Sequence, residues 1–173
     1  MKTPSKARLI LLIIATGLAM TASAVADDTH MSEPRENRRP LPLLQMMADH
    51  QKQMMRDHLG AVQEIITALA ADDFDAVERA AQRLGYSEAV GRICTRIGAA
   101  APEFTREALL FHHTADGIAS AARERNGQHV LAELSTTLQS CRACHAQWKQ
   151  QVVDEQTWDR LTATPHSAIQ IHE

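Results

Sequence analysis

The chain predicts an all-α fold, an antiparallel four-helix bundle, and three observations carry that expectation. Apolar residues recur at helical spacing in four long runs, glycine and proline fall between the runs, and no segment alternates as a strand would. Short connections between helices of this length make sequence neighbours antiparallel. The chain has 173 residues, room for one domain with a single core.

The N-terminus stands apart from that pattern. Lys2, Lys6 and Arg8 precede an apolar stretch from Leu9 to Leu18, and Ala24-Val25-Ala26 offers the small residues of a cleavage site before Asp27. Residues 1–26 are therefore expected to be a signal peptide. Their apolar core is shorter than the roughly 20 residues of a bilayer span, so no stable membrane segment should remain after cleavage. The expected destination is the bacterial periplasm. Losing those three cations takes the formal charge from −3 to −6, an acidity that argues against nucleic acid as a partner. Residues 27–42 are polar and aperiodic and read as a flexible leader.

The bundle is expected over residues 43–155. Pro40 and Pro42 block a helix from extending backwards, and from Leu43 to about Ala71 the residues Met55, Leu59, Val62, Ile66 and Leu69 form an apolar stripe. Asp72 and Asp73 interrupt this first helix. A second starts at Phe74 and presents Val77, Ala80, Ala81 and Leu84 on one face; Gly85 bends or ends it, and Ser87 can cap a continuation through Ile97. Pro102 suits the first turn of a third helix, which runs to about Arg125, where Asn126-Gly127 is a stop signal. The fourth is expected from about Gln128 to Glu155. Residues 156–173 read as a C-terminal tail.

That last helix carries the most specific signal in the chain, Cys141-Arg142-Ala143-Cys144-His145. Two thiols one turn apart, followed directly by an imidazole, form a c-type haem attachment site: the sulfurs add across the haem vinyl groups and the histidine faces the iron. Zinc would require a second Cys/His pair, and a redox Cys-x-x-Cys would be expected at the start of a helix after a strand. One covalent haem c is thus expected, held by Cys141 and Cys144 with His145 as proximal ligand. Cys94, the remaining thiol, is expected to be buried and inert. Only six aromatic residues are present, Phe74, Tyr86, Phe104, Phe111, Trp148 and Trp158, so a buried haem would supply apolar volume that the core lacks.

In the common small cytochromes the motif lies near the N-terminus and a downstream methionine closes the sixth iron position. Here no methionine follows His145, and the last one is Met55. The run CRACHAQWK on the final helix of an exported four-helix chain resembles the class II c-type cytochromes, the cytochrome c′ family and its low-spin, methionine-ligated relatives. Trp148 and Lys149 match the aromatic and basic residues that follow the family's motif. MRDH, from Met55 to His58, resembles the segment holding the axial methionine, and DDFDAVERAAQRLG resembles the opening of the second helix. The resemblance covers about residues 43–153. It implies a haem-binding bundle, Met55 as sixth ligand, and in many members dimerisation through the first two helices; monomer and homodimer both stay open. The first helix also offers Met46, Met47, His50, Met54 and His58, and the third His112 and His113. Met54, Met47, His58, His112 or an open position therefore remain alternatives to Met55.

With no nucleophile and base, nucleotide fingerprint or paired carboxylates, the expected role is carriage of single electrons to and from periplasmic redox proteins, without enzymatic activity. The competing expectation is five-coordinate iron that binds nitric oxide or carbon monoxide, as the resemblance to cytochrome c′ itself implies.

Overall fold

The computed structural model describes residues 36–163. The expected signal peptide, most of the leader and the end of the tail lie outside the described residues. A strand β1 (Arg39–Leu43) leads into helices α1 (Gln45–Ala70), α2 (Phe74–Gln82), α3 (Glu88–Ile97), α4 (Pro102–Arg123) and α5 (Gly127–Gln147), followed by strand β2 (Trp148–Val152) and helix α6 (Glu155–Ala163). The domain is mostly helical, and no helix among the described residues is long and apolar enough to cross a membrane.

Local chemistry sets the boundaries. Asp72 turns the chain at φ 55°, and the amides of Asp72 and Asp73 close back onto the carbonyls of Leu69 and Ala68 to end α1. The Asp73 carboxylate accepts from the amide of Ala76 at 2.9 Å and so starts α2. Ser87 caps α3 through the amide of Val90, and Pro102 occupies the first turn of α4. At the α4–α5 junction Arg125, not Gly127, takes the left-handed turn, at φ 51°. Asn126 then caps α5 by accepting from His129, and Gly127 opens that helix where a side chain would meet Leu69.

Three sequence expectations are corrected. The first is the absence of strands: β1 and β2 pair in parallel, Arg39 with Trp148 through Leu43 with Val152. Residues 39–42, expected in the flexible leader, are therefore held in a sheet. Leu41 and Leu43 point into the core, while Pro40 and Pro42 alternate with them, a placement allowed on a two-stranded ribbon whose edges are open. The second is the length of the last helix. It stops at Gln147 because Trp148 adopts extended geometry (φ −119°, ψ 145°) and buries its indole, and α6 starts afresh under the Asp154 cap. The third is the α1 stripe. Val62 and Leu69 pack against the core as expected, but the side chains α1 buries fully are Met47, Ala48, Gln51, Ala61 and Ile65, while Leu59 and Ile66 are 70% and 52% exposed, so only part of the stripe faces the core.

α4 packs along α5 and α2, α2 lies on α1, and α3 rests against α4. The core they enclose is divided. One cluster is rich in alanine and joins Ala61 and Ile65 to Val77, Ala80, Ala81, Leu84, the α4 alanines, Ile118, Val130 and Leu134. A second joins Leu41, Leu43, Met47, Ile97, Phe104 and Trp148.

Candidate cofactor cavity

Between the two clusters lies a cavity of about 740 Å³, touching Leu84, Val62 and Phe111 on one side and Leu41, Ile97, Phe104 and Trp148 on the other. This is within the usual range for a small-molecule site, roughly 300–1,000 Å³. Its α5 wall carries the motif, preceded by Thr137, Leu138 and Ser140. Cys141, Cys144 and His145 all line it, the two cysteines one turn apart and the histidine one turn beyond Cys141. All three cysteines are free thiols. Burial, assisted by the nearby Glu107 carboxylate and Cys141, pushes the Cys144 thiol up to about 11, and burial also raises Cys141. Both are therefore protonated thiols at neutral pH, partly screened from water.

The opposing wall comes from α1, which contributes Gln51, Met54, Met55, His58, Leu59 and Val62. Met54 is half-buried against the second cluster, and Met55, 38% exposed, sits toward the edge. Met47 is packed into that same cluster and is not part of the lining; Met46 is exposed elsewhere, His50 is exposed, and His113 stacks on Tyr86 at 4.2 Å outside the cavity. Of the alternatives to Met55, the cavity thus gathers Met54, His58 and His112 and omits Met47.

His112 is buried on α4, and its Nδ1–H donates to the carbonyl of Leu84 at 2.7 Å, which fixes the tautomer because a carbonyl only accepts. His58 lies over Phe111, ring centroids 5.3 Å apart, and meets His112 edge-on at 5.4 Å. Burial, with His112 adding to it and Asp57 opposing, holds the His58 imidazole down at about 4, so it is neutral at physiological pH; burial lowers His112 as well.

The mouth has a different character. Arg38, Lys52, Arg56 and Lys149 line it, against a single carboxylate in the lining, Glu107. Arg38 is engaged by Glu36 and Lys52 by Asp49 at 3.5 Å. No ion pair to Arg56 or Lys149 occurs among the described residues. A cavity with apolar walls and a cationic rim suits an apolar ligand with acidic groups at one edge.

Several residues take their role at the site from tertiary contacts. Trp148, read in the sequence only as matching a family pattern, turns out to be a fixed point: its Nε1–H donates to Glu107 at 2.9 Å, its edge meets Phe104 at 5.7 Å, and the Arg39 guanidinium covers its face at 4.1 Å. Gln150 donates to the Ala48 carbonyl at 3.2 Å and to Gln51 at 2.6 Å, tying β2 to α1 beside the mouth. Glu107 was discoverable as a carboxylate interrupting the inward face of α4 between Phe104 and Phe111. Cys94 is buried as expected, and it too lines the cavity.

Among the described residues, no group of three or more His, Cys, Asp or Glu is arranged to hold a bare metal ion. Haem iron, whose equatorial ligands come from the porphyrin, needs at most two side chains. Comparison with family models, with curated proteins and with solved structures returns no match.

Proposed function

We propose that the chain is an exported c-type cytochrome of the class II kind: a four-helix bundle of α1, α2 with α3, α4 and α5, holding one haem covalently and passing single electrons between periplasmic redox proteins. The observation that carries this reading is that Cys141, Cys144 and His145 share one apolar cavity with candidate axial donors on the opposite wall. The residues present fit the group. The two thiols would form the thioethers, His145 would bind iron from the α5 side, and the apolar walls would receive the macrocycle. The rim cations suit its two propionates. Bound haem would supply the ferric/ferrous couple, the only redox chemistry required.

The chain's own residues then set the properties of that couple. Leu41, Val62, Leu84, Ile97, Phe104 and Phe111 exclude water and lower the local dielectric. Trp148, clamped from three sides, fixes the end of α5 and hence the position of His145 three residues earlier. Met55 is the sixth ligand that the family resemblance implies, and a thioether opposite histidine raises the reduction potential.

Mass spectrometry and a pyridine haemochrome spectrum of the secreted protein test the proposal. One haem that resists extraction by acidified organic solvent, with a new N-terminus near Asp27, is expected. Extractable haem, or none, overturns it. Carbon monoxide separates the two roles: slow or weak binding by the ferrous protein fits a closed sixth position and electron carriage, whereas fast, tight binding assigns the protein to gas binding.

A further inference from the structure

Two kinds of iron donor sit one helical turn apart on the wall contributed by α1. Met54 and His58 have the i, i+4 spacing that stacks side chains on one face, Met55 is three residues from His58, and all three line the cavity. His58 rests against the rings of Phe111 and His112. Among the described residues neither of its ring nitrogens has a protein hydrogen-bond partner, and no buried side-chain nitrogen is sealed off without one. Those nitrogens are therefore accessible, on a residue that lines the cavity. His112, by contrast, commits its Nδ1–H to Leu84.

Resting on the reading of this cavity as a haem site, we infer that His58 is a second distal donor, and that the sixth ligand exchanges with oxidation state: His58 nitrogen on ferric iron, methionine sulfur on ferrous. The chemistry of the donors gives the direction. Thioether sulfur is soft and favours the electron-rich ferrous ion, while the harder imidazole nitrogen favours the ferric ion. Both ligands are neutral, so the exchange breaks one coordinate bond, forms another and moves no proton; burial already holds His58 unprotonated. The neighbouring positions on α1 require side-chain rotation of both donors, the methionine swinging in as the His58 ring withdraws toward Phe111 and His112, and not movement of the helix. Each electron would then be accompanied by a ligand exchange that slows its release, and the nitrogen-bound ferric state would hold the potential below that of a permanently methionine-ligated haem.

The test uses the purified secreted holoprotein in both oxidation states. Electron paramagnetic resonance and near-infrared magnetic circular dichroism of the ferric form should show two-imidazole ligation, and proton NMR of the ferrous form should show the far-upfield methyl signal of bound methionine. His58→Leu should convert the ferric form to the sulfur charge-transfer band and raise the midpoint potential. The same ligand set in both states of the wild type overturns the inference, even if His58→Leu fails to assemble. A sulfur band in the ferric wild type that His58→Leu leaves unchanged overturns it equally. Absence of covalent haem in the haemochrome assay is read separately and removes the haem reading itself.

Discussion

Replacing Trp148 measures how firmly the end of the motif helix is anchored, and the structure supplies the magnitude. The indole is 5% exposed, donates to Glu107 at 2.9 Å, packs edge-on to Phe104 and lies under Arg39. Trp148→Ala removes all three contacts and opens a cavity, a change that costs about 3–5 kcal/mol. Trp148→Phe keeps most of the ring and isolates the hydrogen bond. A bond to a charged acceptor is worth roughly 1.5–3 kcal/mol, and Glu107 can regain water through the cavity, so the lower end applies; with about 1 kcal/mol for lost volume the total is about 2.5 kcal/mol. That should lower the urea midpoint by about 1–2 M. The double-mutant cycle makes the argument specific. Glu107→Leu alone leaves the buried indole N–H without an acceptor, but Trp148→Phe with Glu107→Leu removes donor and acceptor together, so the pair should cost about 1–2 kcal/mol less than the sum of the single changes. Circular dichroism in urea reads all four proteins. Strict additivity, or a Trp148→Phe protein within about 0.5 kcal/mol of wild type, refutes the reasoning.

Three further outcomes are expected. Cys141→Ser and Cys144→Ser should each reduce covalent haem by mass spectrometry, whereas Cys94→Ser, although its side chain borders the same cavity, should leave attachment intact because it lies outside the motif. Asp72→Gly and Arg125→Gly should each leave thermal stability unchanged or raise it by up to about 1 kcal/mol. Both positions hold positive φ without being glycine; Asp72 is exposed, and Arg125 gives up only an exposed ion pair to Asp75 at 3.0 Å, a contact of little net worth; a loss above about 1 kcal/mol at either position would show that the side chain matters more than the turn. Stability of the haem-free protein should fall as pH drops from about 6.5 to about 4. His58 is held neutral by burial when folded but protonates near 6.5 when unfolded, so its contribution is complete above 6.5 and lost on acidification. The shift puts the His58 part at about 3 kcal/mol, and His58→Phe should make the profile measured by urea titration shallower while leaving the part due to His112, whose pKa burial also lowers.

How legible the fold was depended on whether a signal was local. The caps at Asp73 and Ser87 and the proline at position 102 act within a few residues, and the starts of α2, α3 and α4 follow directly from them. The strand pair does not. Pro40 and Pro42 read as helix blockers, and WKQQV lacks an alternating apolar face; only the pairing across the whole domain makes either segment a strand. The face of α1 is a subtler case. Hydrophobicity places Ile66 inward with Val62 and Leu69, but α2 packs against the side that carries Ala61 and Ile65, which leaves Ile66 exposed and Leu59 only bordering the cavity. Gln51 and His58 consequently face the interior without an apolar signature. The motif brought Cys141, Cys144 and His145 to notice at once, yet Glu107 and Gln150 act only through partners more than forty positions away.

Side-chain size explains why the cavity lies where it does. In the first cluster Ala61, Ala80, Ala81, Ala115, Ala119, Ala121 and Ala122 let backbones approach closely. In the second, Leu41, Leu43, Phe104 and Trp148 insert bulk between the same helices and the strand pair. Helices drawn together at one end and held apart at the other must leave space where the two regimes meet, unless large side chains fill it. On this stretch the chain offers Met54, Met55 and Val62 from α1 and Ala108 and Phe111 from α4, which do not. An open cleft of this size leaves its apolar lining facing water instead of protein, so a domain that kept it empty would forgo burial and dispersion contacts along that surface. The same stretch is where the sequence places two thiols and an imidazole one turn apart. The unfilled apolar space and the residues proposed to attach haem thus coincide at one location, and a flat apolar group bound there would improve the packing as it was attached.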